Sequence, residues 1–137
     1  MIQALKAWGP AAFWAAVLFL SSESQPGPDS VWLSFNDKIL HLGIYSVLGA
    51  ALAWGEDRIR RRMPLFLLFL GAIYGVLDEW HQSFVPGRDA SAGDVLADIA
   101  GVILGFFLLR LYFRARGSGP KKLNPTEFHR EEHDLQV

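Results

Sequence analysis

The chain has no cysteine. That excludes a disulfide framework, a thiolate metal site and a thiol nucleophile. It has no H-E-x-x-H stretch and no Ser-His-Asp pattern that sequence alone could defend, so zincin chemistry is not implied. Lys and Arg are missing altogether from Ser21 to Asn36 (SSESQPGPDSVWLSFN). Net charge is almost absent too, with 13 basic against 14 acidic side chains. Beyond one arginine run, nothing points to nucleic acid. At 137 residues the chain is long enough for one domain.

What is present is hydrophobic sequence in blocks. Residues of the apolar set make up 51% of the chain, with five Trp and ten Phe, which suits a membrane protein with aromatic interfaces. The first block runs from about Leu5 to Leu20 and the second from Ile39 to Trp54. The third starts at Pro64, is apolar to Leu77, and reaches a spanning length only by continuing to about Phe84. The fourth runs from Asp94 to Phe113. A helix needs roughly 17–25 residues to cross the hydrocarbon core. These blocks predict an all-α integral membrane protein, a four-helix bundle with an outward polar pocket. The expected organisation is a membrane domain over 1–116 and a polar, disordered tail over 117–137. His129 and His133 in that tail stand four apart, a spacing that can bind metal, although a solvated tail is the plainer reading. The start of the chain faintly resembles a signal peptide, but it lacks a small-x-small cleavage site and has a weak basic region, so it is read as a retained span.

Orientation follows from Lys and Arg. Arg58, Arg60, Arg61 and Arg62 lie between the second and third spans, and Arg110, Arg114, Arg116, Lys121 and Lys122 follow or close the fourth. The positive-inside rule then places both termini in the cytoplasm and the loops after spans one and three outside.

Three ionisable clusters interrupt the apolar blocks: Asp37-Lys38-His41-Tyr45, Asp78-Glu79-His81-Gln82, and Arg88-Asp89 with Asp94 and Asp98. In this topology all three fall at the outer end. At about 1.5 Å per residue, Asp78 lies roughly 9 Å inward of Phe84 and Asp98 roughly 6 Å inward of Asp94. Ionisable groups at such depth are costly and mark candidate functional sites. Their spacing gathers them on faces. Gly71, Gly75, Asp78 and Gln82 step by 4, 3 and 4, as do Asp94, Asp98, Gly101 and Gly105, while Asp37, His41 and Tyr45 step by four. The simplest packing sets the two glycine stripes together, or against the second span.

Each residue has two readings. Glu79, His41 and Asp78 are candidate acid–base groups or metal ligands, or else polar glue between helices. Lys38 and Arg88 can grip a phosphate or carboxylate, or serve as counter-ions to the acids. Tyr45, Gln82 and Asp37 would complete a binding surface. Asp94 and Asp98 are candidates to hold Mg²⁺ or a similar hard cation. Ser91 or Asp94 can cap the fourth helix. Trp32, Trp54 and Trp80 read as interfacial anchors. A proton or ion relay has less support, because the acids stop in the outer half.

Two segments, DKILHLGIYSVLG and GAIYGVLDEWHQSFVPGRDASAGDVLADIAGVILG, carry a compound pattern. It consists of D-K-x-x-H-x-x-x-Y/F, then D/E-E-x-x-Q-x-F-x-P-x-R, then an aspartate and a glycine-rich helix. In this pattern the chain resembles the VanZ-like membrane protein family over roughly Asp37 to Gly105. The pattern falls on Asp37, Lys38, His41 and Tyr45, on Glu79, Gln82, Pro86 and Arg88, and on Asp94, Asp98 and Gly101. Many members have Asn where this chain has Asp98. The family takes its name from a protein associated with low-level teicoplanin resistance. The resemblance therefore implies a bacterial cytoplasmic membrane and a role near envelope lipids, with no defined reaction. The expectation is an outward polar site for an anionic envelope lipid or glycolipid head group, with hydrolase or transferase chemistry open. The alternative is a non-enzymatic envelope or glycopeptide-tolerance protein whose polar layer is structural or binds a partner.

The absence of native cysteine makes the topology directly testable. Single Ser24→Cys and Ala90→Cys variants should react with an impermeant maleimide on intact cells, and Arg62→Cys and Ser118→Cys only after lysis. The reverse pattern would invert the bundle.

Overall fold

A computed structural model describes residues 2–22, 33–60, 62–86 and 90–117, with side chains from residue 4 in the first segment and 37 in the second. These residues form α1 (Ile2–Ser22), α2 (Leu33–Ile59), α3 (Pro64–Gln82) and α4 (Ala92–Ala115), with no strand among them. Arg88, Asp89, Trp32, His129, His133 and residues 118–137 of the tail expected to be disordered lie outside the described residues.

Local chemistry sets the helix ends. The Ser91 side chain accepts a hydrogen bond from the Gly93 backbone N–H, so Ser91 caps α4, and Asp94 sits in the first turn. A carboxylate there meets the positive end of the helix dipole. Pro64 opens α3 at a position where its missing N–H costs nothing. Arg60 follows α2 with φ of 54°, a left-handed conformation that turns the chain out of the helix. The second helix begins earlier than the apolar block does. Asp37 and Lys38 lie inside it, since backbone hydrogen bonds do not stop at a charged side chain.

Three of the four helices, α1, α2 and α4, have stretches long and apolar enough to cross a membrane. The third does not meet that measure, because Asp78, Glu79 and His81 occupy its last turns. The third helix turns apolar side chains outward and, in its last turns, polar ones inward. On α3, Leu65, Phe66, Phe69, Leu70, Ile73, Val76, Leu77 and Trp80 are exposed, whereas Leu67, Gly71, Gly75, Asp78, Glu79 and Gln82 are buried. Exposed apolar surface on this scale is the pattern expected of helices solvated by lipid.

Contacts along the helices fix their directions. Lys38 meets Asp94 and His41 meets Asp98 near the starts of α2 and α4, while Arg110 meets Glu56 near their ends. These two helices therefore run side by side in the same direction, and their contact is the most extensive in the bundle. The indole N–H of Trp14 donates to the Ile44 carbonyl at 2.8 Å, and Tyr74 bonds the Ala15 carbonyl, which ties α1 to α2 and α3.

Glycine allows the α2–α4 approach. A Cβ on Gly101 would stand 2.5 Å from the Leu42 carbonyl oxygen, and one on Gly105 would overlap the Ser46 backbone. Small residues let membrane helices meet backbone to backbone. The stripes divide their work: Gly101 and Gly105 face α2, whereas Gly71 and Gly75 of α3 face Val102 and Asp98 of α4. The core beside them is Tyr45, Leu48, Leu52, Ala53, Leu67, Val102 and Phe106.

Gly105→Val should push α2 and α4 apart and sharply lower folded yield in detergent, at a cost on the order of 1–3 kcal/mol or more. Gly43→Ala, where an added Cβ would meet nothing within 4 Å, should leave melting unchanged. Fluorescence size-exclusion chromatography and thermal melting of the two variants provide the check.

Candidate functional site: a buried histidine–carboxylate layer

The two strands of the sequence argument, depth and helix face, converge in one layer. His41 lies one turn from the start of the described side chains of α2, and its Nδ1 stands 2.8 Å from Asp98 Oδ1 of α4. Glu79 Oε1 of α3 is 3.8 Å from the same nitrogen. On the other side of the ring, Nε2 is 3.8 Å from Asp37 Oδ1, one helical turn away on α2. One imidazole thus faces carboxylates from three helices. His41, Glu79 and Asp98 are all buried, and Asp98 has no exposed surface.

A second group of bonds surrounds the first. The Tyr45 hydroxyl donates to Asp78 Oδ2 at 2.9 Å, and Gln82 Nε2 donates to the same oxygen at 3.0 Å. Tyr45 is itself fully buried. Glu79 is held from its far side, where its Oε2 accepts the Ser91 backbone N–H at 3.2 Å. The start of α4 therefore positions both Asp94 and the α3 glutamate. Lys38 Nζ reaches Asp94 Oδ1 at 3.1 Å. The Lys38 side chain is 46% exposed, so this pair is partly screened and contributes little to stability, about 1 kcal/mol or less.

The layer does not satisfy itself. Asp78 Oδ1, Glu79 Oε1, Asp98 Oδ2 and His81 Nε2 are buried and have no hydrogen-bond partner. Buried polar atoms are nearly always paired, and an orphaned carboxylate oxygen is expensive in a low-dielectric interior. Three such oxygens in one layer mark a place where donors or positive charge are wanted. Among the described residues, Asp37, Asp78, Glu79, Asp94 and Asp98 stand here against one lysine and one histidine.

Of the residues singled out by spacing, Lys38, His41, Tyr45, Asp78, Glu79, Gln82, Asp94 and Asp98 come together with Asp37 at the rim. Asp94 and Asp98, both considered for a hard cation, part company: Asp94 pairs with Lys38, and Asp98 groups with His41 and Glu79. His81 points elsewhere, stacking on Phe19 of α1 with ring centroids 4.7 Å apart.

Sequence reasoning missed a polar contact at the opposite end. Glu56 is buried on α2, lies 3.6 Å from Arg110 Nε, and accepts the Met63 backbone N–H at 2.8 Å. Its signal was periodicity. His41, Tyr45, Leu48, Leu52 and Glu56 follow one buried face, and Asp98, Val102, Phe106 and Arg110 step by four along the facing helix. Nearby, the Arg58 guanidinium lies over the Trp54 ring, 4.3 Å from its centroid, a cation–π contact. A groove of about 900 Å³ opens at this end, lined by Lys6, Trp54, Arg58 and Arg60 among others.

Apolar exterior, spanning helices and a buried histidine–carboxylate layer define a multi-pass membrane protein organised around one polar centre. The VanZ/LLP1 family model matches residues 7–113, nearly the whole of the helical region, and the chain belongs to that family. A curated relative is an uncharacterized protein of the fission yeast Schizosaccharomyces pombe, 33% identical over 82 residues. That alignment covers 59% of this chain and 51% of the yeast protein, so the chain spans about half the length of the relative it matches. No solved structure matches the chain.

Proposed function

We propose that the histidine–carboxylate end of the bundle binds the polar head group of a membrane lipid. The observation that carries this reading is the set of three buried, unpartnered carboxylate oxygens on Asp78, Glu79 and Asp98. Head-group hydroxyls would supply the donors that these oxygens lack. Lys38, and Arg88 of the sequence between α3 and α4, would hold a phosphate or carboxylate on the same head group. Tyr45, Gln82 and Asp37 would set its orientation. His41, Glu79 and Asp78 are the groups suited to move a proton if a bond is made or broken there, as in hydrolysis or transfer at the head group. In this reading the site opens outward from a bacterial cytoplasmic membrane.

A relative in a fission yeast bears on the choice of lipid. A head group common to bacterial and fungal membranes accommodates both sequences, whereas a cell-wall precursor confined to bacteria fits only one. Glycopeptide tolerance would then be a consequence in some members of the family rather than the shared role.

A second reading has its own observation. The bonds from Tyr45 and Gln82 to Asp78, from His41 to Asp98 and from Lys38 to Asp94 already knit three helices. A polar layer that only held the bundle together, or faced a partner protein, would look similar in these contacts.

Native mass spectrometry from a gentle detergent separates the two. The head-group reading expects a co-purified lipid on the wild-type protein, lost in Lys38→Ala and Arg88→Ala while thermal melting stays within a few degrees. Protein free of lipid in every variant, with melting lowered instead by Glu79→Gln, would favour the structural reading.

A further inference from the structure

The acidic layer raises a difficulty for any phosphate-bearing ligand. Lys38 is engaged by Asp94, and the carboxylates around His41 outnumber the positive groups. An anion approaching His41 would meet Asp98 and Glu79 at close range, and like charges in a low-dielectric site repel strongly. Something positive belongs between them.

We infer that His41, Glu79 and Asp98 form a binding site for a divalent cation of the zinc type. One ligand atom from each residue lies within 4.8 Å of the other two, and all three residues are buried. The atoms are His41 Nδ1, Asp98 Oδ1 at 2.8 Å from it, and Glu79 Oε1 at 3.8 Å. Ligands about 2.1 Å from a tetrahedral ion stand roughly 3.4 Å from one another. The two separations bracket that value and the third lies within 4.8 Å, so side-chain shifts on the order of 1 Å would close the set around an ion.

Acids alone would not carry this assignment. Two further features do. Glu79 Oε1 has no hydrogen-bond partner although its side chain is only 5% exposed, and Asp98 Oδ2 is an orphan on a residue with no exposed surface at all. The third ligand is an imidazole. Nitrogen beside two carboxylate oxygens suits Zn²⁺ or a neighbouring first-row ion better than Mg²⁺ or Ca²⁺, which favour oxygen throughout. Outer contacts needed to aim the ligands are also in place: Ser91 N–H holds the far oxygen of Glu79, and Asp37 stands beside the far nitrogen of His41. Asp94 is left to Lys38 and is not a ligand.

Binding exchanges one charge carrier for another. The ion takes the place of the proton shared between His41 Nδ1 and Asp98 Oδ1, and that proton leaves to water. Three protein ligands leave a fourth position free, which an oxygen of water or of a head group can fill. This deepens the head-group reading and rests on it for its purpose, since the ion would let an acidic layer accept an anion. The ligand set itself stands on geometry alone.

The test uses the full-length protein in detergent, stripped with chelator and titrated with Zn²⁺ alone by calorimetry, with bound metal counted by mass spectrometry. One Zn²⁺ per chain is expected. Glu79→Gln and Asp98→Asn, which keep side-chain shape if His41→Ala fails to fold, should each weaken binding by more than the roughly 10–100-fold typical of losing an outer partner. X-ray absorption of the loaded protein should show one nitrogen and two carboxylates at about 2.0–2.2 Å. A His129→Ala/His133→Ala variant should bind as the wild type does. No stoichiometric binding, binding abolished by the tail variant, or binding untouched by Glu79→Gln would each overturn the site. The two readings fail separately. Lipid retained on protein that never binds zinc removes the ion and leaves the head-group reading, and a zinc-loaded protein without lipid does the reverse.

Discussion

Asp98 sits in the interior of a membrane bundle with no exposed surface, and its hydrogen bond to His41 is the contact around which the other elements are arranged. A carboxylate at that position is tolerable only if a partner reaches it, and a partner on another helix must come very close. The glycines meet that requirement. Gly101 and Gly105, one and two turns further along α4, bring its backbone against Leu42 and Ser46, next to His41 on α2. Gly75 on α3 lets that helix approach until it faces Asp98 itself, and places Glu79, one turn on, beside the imidazole. Charge burial and close packing are thus two sides of one constraint. The close approach of α2 and α4 at the glycines brings the polar partners within reach.

Much of this was legible in the sequence, for identifiable reasons. Helix period alone put Asp78 with Gln82 and Asp94 with Asp98 on single faces, and the alternation of span directions put three clusters at one depth. Both are geometric consequences of 1.5 Å and 100° per residue. Partner choice was not legible. Asp94 and Asp98 are one turn apart on the same face, and nothing in their spacing says that one takes Lys38 and the other His41. The glycine stripes were open to the same ambiguity, since a small-residue face fits any neighbour and the volumes of Val102, Tyr45 and Leu52 decide which. The first polar cluster looked like the edge of a span because charge ends an apolar block, yet α2 continues through it. Glu56 was overlooked because it sits in a run, GEDRIRRR, that reads as interfacial charge, although its place on the buried face of α2 connected it to Arg110.

The two ends of the bundle differ in chemistry. At one end acids outnumber their counter-ions and leave oxygens unpartnered, while at the other Glu56 is matched by Arg110 and a backbone N–H, and further arginines lie exposed around it. The satisfied end is what a structural contact looks like in this protein. Set beside it, the unsatisfied end is unusual within the same molecule, and that contrast supports a ligand there. Between the ends, the exterior is mainly Leu, Ile, Val and Phe.

The dependence of the fold on the His41–Asp98 contact is measured most directly by a double-mutant cycle. Thermal or denaturant stability in detergent would be compared for wild type, His41→Ala, Asp98→Ala and the double variant. The account predicts strong coupling, about 1.5–3 kcal/mol, with the double variant more stable than the sum of single losses implies, because each single change strands a buried polar group. Additive losses would contradict it, and would mean that the helices are held by packing alone.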